Sequence, residues 1–212
     1  MGVKVFVFGA ISGASIGYYA AHLTMGYLIY RLIANGVIGG SGVFVGAQNW
    51  IKAEPLPLSV HVYKTMMNNF FIFLLSAIPA ISICAYFQVY HFAALQWLVP
   101  ALLIYAINTI WIGLLFGIIS ARYRDIMHFS TTAMQVLYFL SPVLWIPPEE
   151  GIRALAAKLN PITHYLAILR QPMIDGTVPY YSWGVVMSCT GIGLVFTFAL
   201  FAFARRRLVF WL

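Results

Sequence analysis

The side chains able to do chemistry are few in this 212-residue chain, and their spacing matches no catalytic or metal-binding pattern. Histidines can serve as metal ligands or general bases, yet the five present lack any ligand spacing such as HExxH. They are His22, His61, His91, His128 and His164. The two cysteines, Cys84 and Cys189, lie in separate apolar runs and are interpreted as packing residues. We therefore predict no catalytic residue and no metal site.

Paired carboxylates and phosphate-binding loops are the other chemical signatures to consider. Glu149 and Glu150 are adjacent and so point apart at the start of a helix, where they would stabilise the helix dipole. No GxxxxGK[ST] loop occurs, so the sequence offers no phosphate-binding loop for ATP. We expect this chain to bind no cofactor.

A compact charged corner separates two long apolar runs at residues 121–125. Its sequence, Ala-Arg-Tyr-Arg-Asp, places Arg122 and Asp125 three residues apart, close enough to pair on one helical turn. Arg124 fits a simple topology anchor. The corner as a whole, short and rigid between two helices, favours contact with a partner protein.

The composition identifies the elements that must position these residues. Hydrophobic residues make up 62% of the chain, charged residues only 8%, and mean hydropathy is +0.89. A spanning helix needs roughly 20 apolar residues, and several runs are long enough. We predict an all-α polytopic membrane protein with one transmembrane domain over residues 1–212. About six spans are expected, at 3–19 (short or incomplete), 20–45, 65–87, 97–120, 130–146 and 183–204.

Two segments between the spans are too polar or too broken to cross a bilayer. Residues 46–64 contain Pro55 and Pro57, which prevent a continuous helix, so we predict an exposed loop with a short helix. Residues 148–180 are expected to form short helices near the membrane surface, broken by Asn160-Pro161, Pro172 and Gly176.

Arg31 lies near the middle of the second apolar run, where a charge is costly and must face protein or water. Two interpretations are open. It pairs with a backbone carbonyl or snorkels to an interface, with Asn35 one turn later as a possible partner, or it lines a pathway for an anionic or hydroxyl-rich cargo.

The distribution of basic residues predicts orientation, because lysine and arginine collect in cytoplasmic loops. Alternating spans place seven basic residues on one side: Lys52, Lys64, Arg122, Arg124, Arg205, Arg206 and Arg207. The other side holds Arg153, Lys158 and Arg170. The C-terminus is therefore expected in the cytoplasm and residues 149–180 outside. The net charge of +7 is explained by this bias and does not indicate nucleic acid.

Four segments together resemble the membrane subunit of an ABC-2 type exporter, in the branch that exports O-antigen, capsular polysaccharide or teichoic acid. They are WIKAEPLPLSVHVY (50–63), SARYRDI (120–126), SPVLW (141–145), and LNP (159–161) followed by Arg170. They occur in the family's order and at its spacing, from about residue 19 to the C-terminus.

The resemblance implies a homodimer of six-span subunits in a bacterial inner membrane, each docked on a separate cytoplasmic ABC ATPase. It assigns coupling to the ATPase to the segment from about 48 to 63 and to the charged corner. The residues concerned are Trp50, Lys52, Glu54, Pro55, Leu56, Pro57, His61, Arg122, Arg124 and Asp125. It assigns an external gate to Ser141, Pro142, Asn160, Pro161 and Arg170, and it implies a lipid-linked glycan as cargo.

The chain departs from the family at its start, which falls inside the family's first span. The run at 3–19 is expected to be the tail of that span, so the sequence would be N-terminally truncated or have a misassigned start. Other functions remain open at this stage. An ABC-2 permease for a small hydrophobic drug or haem is one alternative. A membrane-embedded transferase using Glu149, His164 and Asp175 is another.

Overall fold

The protein is described by a computed structural model that covers residues 15–53, 57–91, 95–148 and 150–211. All regular secondary structure in these residues is helical, as predicted. The helices are α1 Ile16–Gly46, α2 Gln48–Ala53, α3 Leu58–Tyr86, α4 Leu95–Arg122, α5 Ile126–Leu140, α6 Ile152–Leu159, α7 Pro161–Ile174, α8 Tyr180–Ala204 and α9 Leu208–Trp211.

Four stretches of the described residues are long and apolar enough to cross a membrane. They are Ile16–Ala53, which comprises α1 and α2, then Leu58–Tyr86, Gln96–Arg122 and Tyr180–Ala204. These helices fit a membrane-embedded protein of the helical class. Most of the first predicted span, residues 3–14, lies outside the described part of the chain, as do Glu54, Pro55, Leu56 and Glu149.

Three predicted boundaries differ from the structure. The division between spans at 19 and 20 is wrong, because α1 runs unbroken from Ile16 and contains no proline there. Helix α3 begins at Leu58 and not at 65, because Lys64 is exposed and so does not break the helix. Helix α5 ends at Leu140 and not at 146, because Pro142 offers no N–H and disfavours helical backbone in the residue before it.

The short helices expected in the two polar segments are present. Helix α2 follows α1 at once, and α6 and α7 lie within residues 148–180. Asn160 and Pro161 separate α6 from α7, as the sequence predicts. Asn160 has an extended backbone (φ −82°, ψ 114°), the conformation favoured before proline, and Pro161 occupies the first turn of α7.

The chain divides into two compact units. Unit 1 consists of the described residues within 1–31, 73–103 and 137–187. Helix α7 supplies much of its interior: the aliphatic side chains of Leu166, Ile168 and Leu169 are buried, and so is Arg170. A second apolar cluster joins Tyr19 and Leu23 of α1 to Leu144.

Unit 2 consists of residues 32–72, 104–136 and 188–212, as far as the structure describes them. Its core joins apolar side chains from α1, α2, α3, α4, α8 and α9: Val43, Phe44, Ile51, Val62, Leu114, Ile118, Ala121, Ala204 and Leu208. Helices α1 and α4 approach closely at Gly40 and Gly113, where a Cβ built on Gly40 would lie 2.5 Å from the Gly113 Cα. Small residues at a contact allow such an approach between membrane helices.

Candidate functional site

The turn that follows α5 is buried although it is not helical. The relative exposure of Ser141 and Val143 is 0%. Its backbone is partly satisfied locally, because the N–H of Ser141 donates to the Leu137 carbonyl (2.9 Å) and the N–H of Val143 donates to the Ser141 carbonyl (2.7 Å). The remaining polar groups of a buried turn must find partners elsewhere in the protein, and α1 and α7 provide them.

Asn160 connects this turn to α6 and α7. Its N–H closes α6 on the Ala156 carbonyl (3.1 Å), and its side-chain oxygen caps α7 by accepting from the N–H of Ile162 (3.0 Å). Its side-chain nitrogen donates to the Ser141 hydroxyl (3.0 Å). One side chain therefore sets where α7 begins and fixes its first turn to the turn after α5.

Arg170 connects the same turn to α1. Its side chain is only 6% exposed, and its Nη1 donates to the Pro142 carbonyl (2.7 Å). The same nitrogen lies 3.2 Å from His22 Nε2 on α1. A Cβ built on Gly26 would lie 3.5 Å from this nitrogen, an ordinary van der Waals distance, so the guanidinium lies directly beside α1. We call Arg170, Pro142, Ser141, Asn160 and His22 the Arg170 cluster.

The structure thus brings the sequence-predicted gate residues together. These residues lie in the turn after α5 (Ser141 and Pro142), at the junction of α6 and α7 (Asn160) and in α7 (Arg170). Asn160 hydrogen-bonds to the Ser141 side chain, and Arg170 hydrogen-bonds to the Pro142 backbone. Pro161 is exposed at the start of α7 and contributes through the helix start rather than through a contact of its own.

Sequence reasoning missed the contribution of α1 to this region. Tyr19 stacks on His22 with ring centroids 6.5 Å apart, and its hydroxyl donates to the Leu144 carbonyl (2.6 Å). The Tyr18 hydroxyl donates to Asp175 Oδ1 at the end of α7 (2.9 Å). The available signal was three aromatic side chains with polar atoms, Tyr18, Tyr19 and His22, within about one helical turn.

We expect Asn160→Ala to lower the free energy of unfolding by about 1–2 kcal/mol, since it removes an N-cap and a side-chain hydrogen bond together. Ser141→Ala removes only the second of these interactions. It should therefore cost less, about 0.5–1 kcal/mol. Thermal unfolding of both variants in one detergent measures the difference. Equal losses for the two variants would contradict the capping role of Asn160.

The residues of the alternative transferase site have separate partners. The His164 ring is buried, with Nδ1 3.0 Å from the Ser182 hydroxyl and Nε2 2.9 Å from the Lys158 carbonyl. Asp175 accepts from Tyr18. Across the described ranges, no three His, Cys, Asp or Glu side chains form a group that could hold a metal ion.

Unit 2 joins the short helix α2 to the charged corner. Arg124 donates to the Gln48 side chain at the start of α2, at a long distance of 3.4 Å. Arg122 does not pair with Asp125 within the part of the chain that the structure describes. Its guanidinium lies over the rings of Tyr123 (5.4 Å) and Trp211 (5.2 Å) instead. Both arginines and Asp125 are exposed.

The other predicted coupling residues lie on or near α2. Trp50 is 64% exposed, and Lys52 and Pro57 are also exposed. His61, in the first turns of α3, is half-buried, and its Nε2 is buried without a hydrogen-bond partner among the described residues. An indole, a lysine and a proline side chain are thus accessible at this end of unit 2.

Arg31 is exposed on a helix that is otherwise enclosed. Every residue of α1 from Tyr18 to Val45 except Arg31 is buried or half-buried. No hydrogen bond joins Arg31 to Asn35 in the described structure, so the simple pairing of these two residues is not observed.

Comparison with known proteins adds no assignment. No protein-family model matches the chain, and no curated protein matches it. The resemblance to ABC-2 exporters therefore rests on the four sequence segments alone.

Proposed function

We propose that this chain is the membrane-spanning permease subunit of an ATP-driven exporter. It would move a lipid-linked polysaccharide across a bacterial inner membrane as a homodimer, with the C-terminus in the cytoplasm. ATP and Mg²⁺ would bind a separate ABC ATPase subunit docked on each permease. One observation carries the proposal: residues from two of the four segments that resemble the exporter family contact one another in the Arg170 cluster.

Six crossings are compatible with the observed helices if α5 is completed by the turn that follows it. Helix α5 has 15 residues and is about 22 Å long, short of the roughly 30 Å hydrocarbon core. Residues 141–146 would complete the crossing. Irregular backbone at membrane depth is tolerated where protein buries it, and residues 141–144 are buried. A sixth crossing would have to come from sequence before residue 15, outside the described residues.

The Arg170 cluster would act as the fixed base of the external gate. A buried guanidinium that bonds to a carbonyl of the turn and approaches His22 holds the turn, α7 and α1 in one arrangement. Motion at the gate would then occur in the exposed helix α6, whose Ile152 and Leu159 are exposed. Arg31 would line the cargo pathway, where its charge suits a phosphate or the hydroxyls of a glycan.

Coupling to the ATPase would use α2 and the charged corner. The contact between Arg124 and Gln48 links the two elements. Movement of α2 would therefore also be transmitted to the end of α4 and the start of α5. The exposed Trp50 offers a large apolar side chain for a groove on the partner.

Co-purification with the co-encoded ATPase tests this proposal. Replacing Glu54 and residues 122–125 by alanine should abolish the complex and glycan export, because both proposed contact elements are then changed. Alanine at Arg153 and Lys158, which are exposed on α6, should preserve the complex and serves as the control. Full retention of complex and export in the first variant would count against this coupling route.

A further inference from the structure

A cleft of about 510 Å³ in unit 2 is separate from the Arg170 cluster. The end of α1, the helix α2 and the first turns of α3 enclose it. Its lining combines apolar and polar side chains: Val43, Val60 and Trp50 form the apolar part, and His61, Lys64 and Asn68 form the polar part. Neither the exporter resemblance nor the transport proposal assigns Lys64, Asn68 or the cleft itself.

At the cleft, the Lys64 and Asn68 side chains and the Nε2 of His61 have no hydrogen-bond partner among the described residues. Thr65 also lines the cleft, but its hydroxyl donates to the His61 carbonyl (3.1 Å). His61 Nε2 is buried, whereas Lys64 and Asn68 are exposed. A lysine ammonium, an amide and an imidazole can all donate hydrogen bonds. Three such residues line one cleft, and their donors together suit an acceptor with several oxygens and a negative charge, which describes a phosphate group.

The position of the cleft indicates that the phosphate belongs to an amphiphile. The cleft lies where α1 ends and α3 begins, at the end of two long apolar helices. Further along α3, the exposed side chains change from polar to apolar. Lys64 and Asn68 are followed by Phe71, on the same helical face and 61% exposed. A head group beside Lys64 would direct its apolar chain along Phe71.

We infer that this cleft binds the phosphate head group of an anionic amphiphile, with Lys64, Asn68 and His61 around the phosphate and the apolar chain on α3. The inference does not depend on the transport proposal, because it requires neither the ATPase nor a glycan. A lipid-linked cargo and a membrane phospholipid share this chemistry, as does free phosphate, so the test must separate the chain-bearing ligands from the free ion.

Native mass spectrometry of the purified full chain in detergent provides the test, with three probes. Didecanoyl phosphatidylglycerol carries phosphate and chains, inorganic phosphate carries no chain, and didecanoylglycerol carries no phosphate. We expect only the first to bind measurably. Lys64→Met should weaken its binding roughly tenfold, because a charge-assisted hydrogen bond is lost while the aliphatic stem is kept.

Two further variants keep the result specific. Lys52→Met removes the same charge from an exposed residue of α2 that does not line the cleft, and it should leave binding unchanged. Gly46 also lines the cleft, and a Cβ built on it would meet no atom within 4 Å, so a larger side chain there should not unfold the protein. Gly46→Phe should fill the cleft and abolish lipid binding. Equal binding by wild type, Lys64→Met and Gly46→Phe would overturn the inference. Binding of inorganic phosphate as tight as that of the lipid would also overturn it, since the chain would then contribute nothing.

Discussion

Replacing Arg170 by methionine is expected to lower the free energy of unfolding by roughly 2–3 kcal/mol and, on the proposed function, to abolish glycan export. The methionine keeps an apolar stem of similar length but cannot bond to the Pro142 carbonyl, which is left buried without its charged donor. His22 loses its neighbour on α7 at the same time. Thermal unfolding in detergent measures the first effect, and a cell-based glycan export assay measures the second.

Two comparisons make this prediction specific. Arg153→Met removes the same charge from an exposed residue of α6, and it should change stability by less than about 0.5 kcal/mol. Arg170→Lys keeps the charge but loses the planar guanidinium that reaches both Pro142 and His22, so it should recover only part of the loss. Normal stability and normal export in Arg170→Met would refute the fixed-base role of this cluster.

Replacing Gly40 by alanine is expected to lower the free energy of unfolding by about 2–3 kcal/mol, although alanine is the better helix former by about 1 kcal/mol. A Cβ on Gly40 would lie 2.5 Å from the Gly113 Cα, far inside the ordinary contact of carbon atoms. The obstructing atom belongs to the backbone of α4, so the two helices must separate to relieve the contact. That separation would also loosen Gly117 from the Val43 and Phe44 side chains that it touches.

The partner glycine supplies the control. A Cβ on Gly113 would meet the Gly40 Cα at 3.8 Å and Val62 at 3.9 Å, which are ordinary van der Waals distances. Gly113→Ala should therefore be tolerated, with stability unchanged or slightly raised. Chemical or thermal unfolding of the two variants in the same detergent compares them directly. A destabilisation of Gly113→Ala as large as that of Gly40→Ala would contradict the asymmetry of this crossing.

Sequence reasoning predicted the helical class because apolar runs with few charges leave few alternatives in a membrane. It placed the ends of helices well where a local signal was strong, as at Asn160-Pro161. It failed at residues 19 and 20, where a length argument divided a continuous helix. It also extended α5 to 146 by hydropathy, although Pro142 was the decisive residue. Hydropathy measures burial, and the turn at 141–144 is buried without being helical.

The candidate site was predicted in part. The resemblance supplied Ser141, Pro142, Asn160 and Arg170, and the structure shows these residues in contact. Their partners on α1 were not predictable, since nothing local to His22 indicates an arginine far along the chain. The possible pairing of Arg122 with Asp125 is not observed among the described residues, for a related reason. Helical spacing makes that pair possible, but it carries no information about Trp211, which lies beside Arg122 after the chain folds.

The contacts of α1 in unit 1 have a consequence for the order in which the protein is made. The hydroxyl of Tyr19 bonds to a carbonyl 125 residues later, His22 approaches a residue 148 positions later, and Tyr18 bonds to one 157 positions later. A ribosome adds residues one by one, so α1 leaves it long before any of these partners exists. During synthesis α1 is therefore in the membrane, or beside the insertion machinery, before Tyr18, Tyr19 and His22 can contact these three partners. Assembly of unit 1 is then a late, post-insertion event, completed when α7 arrives.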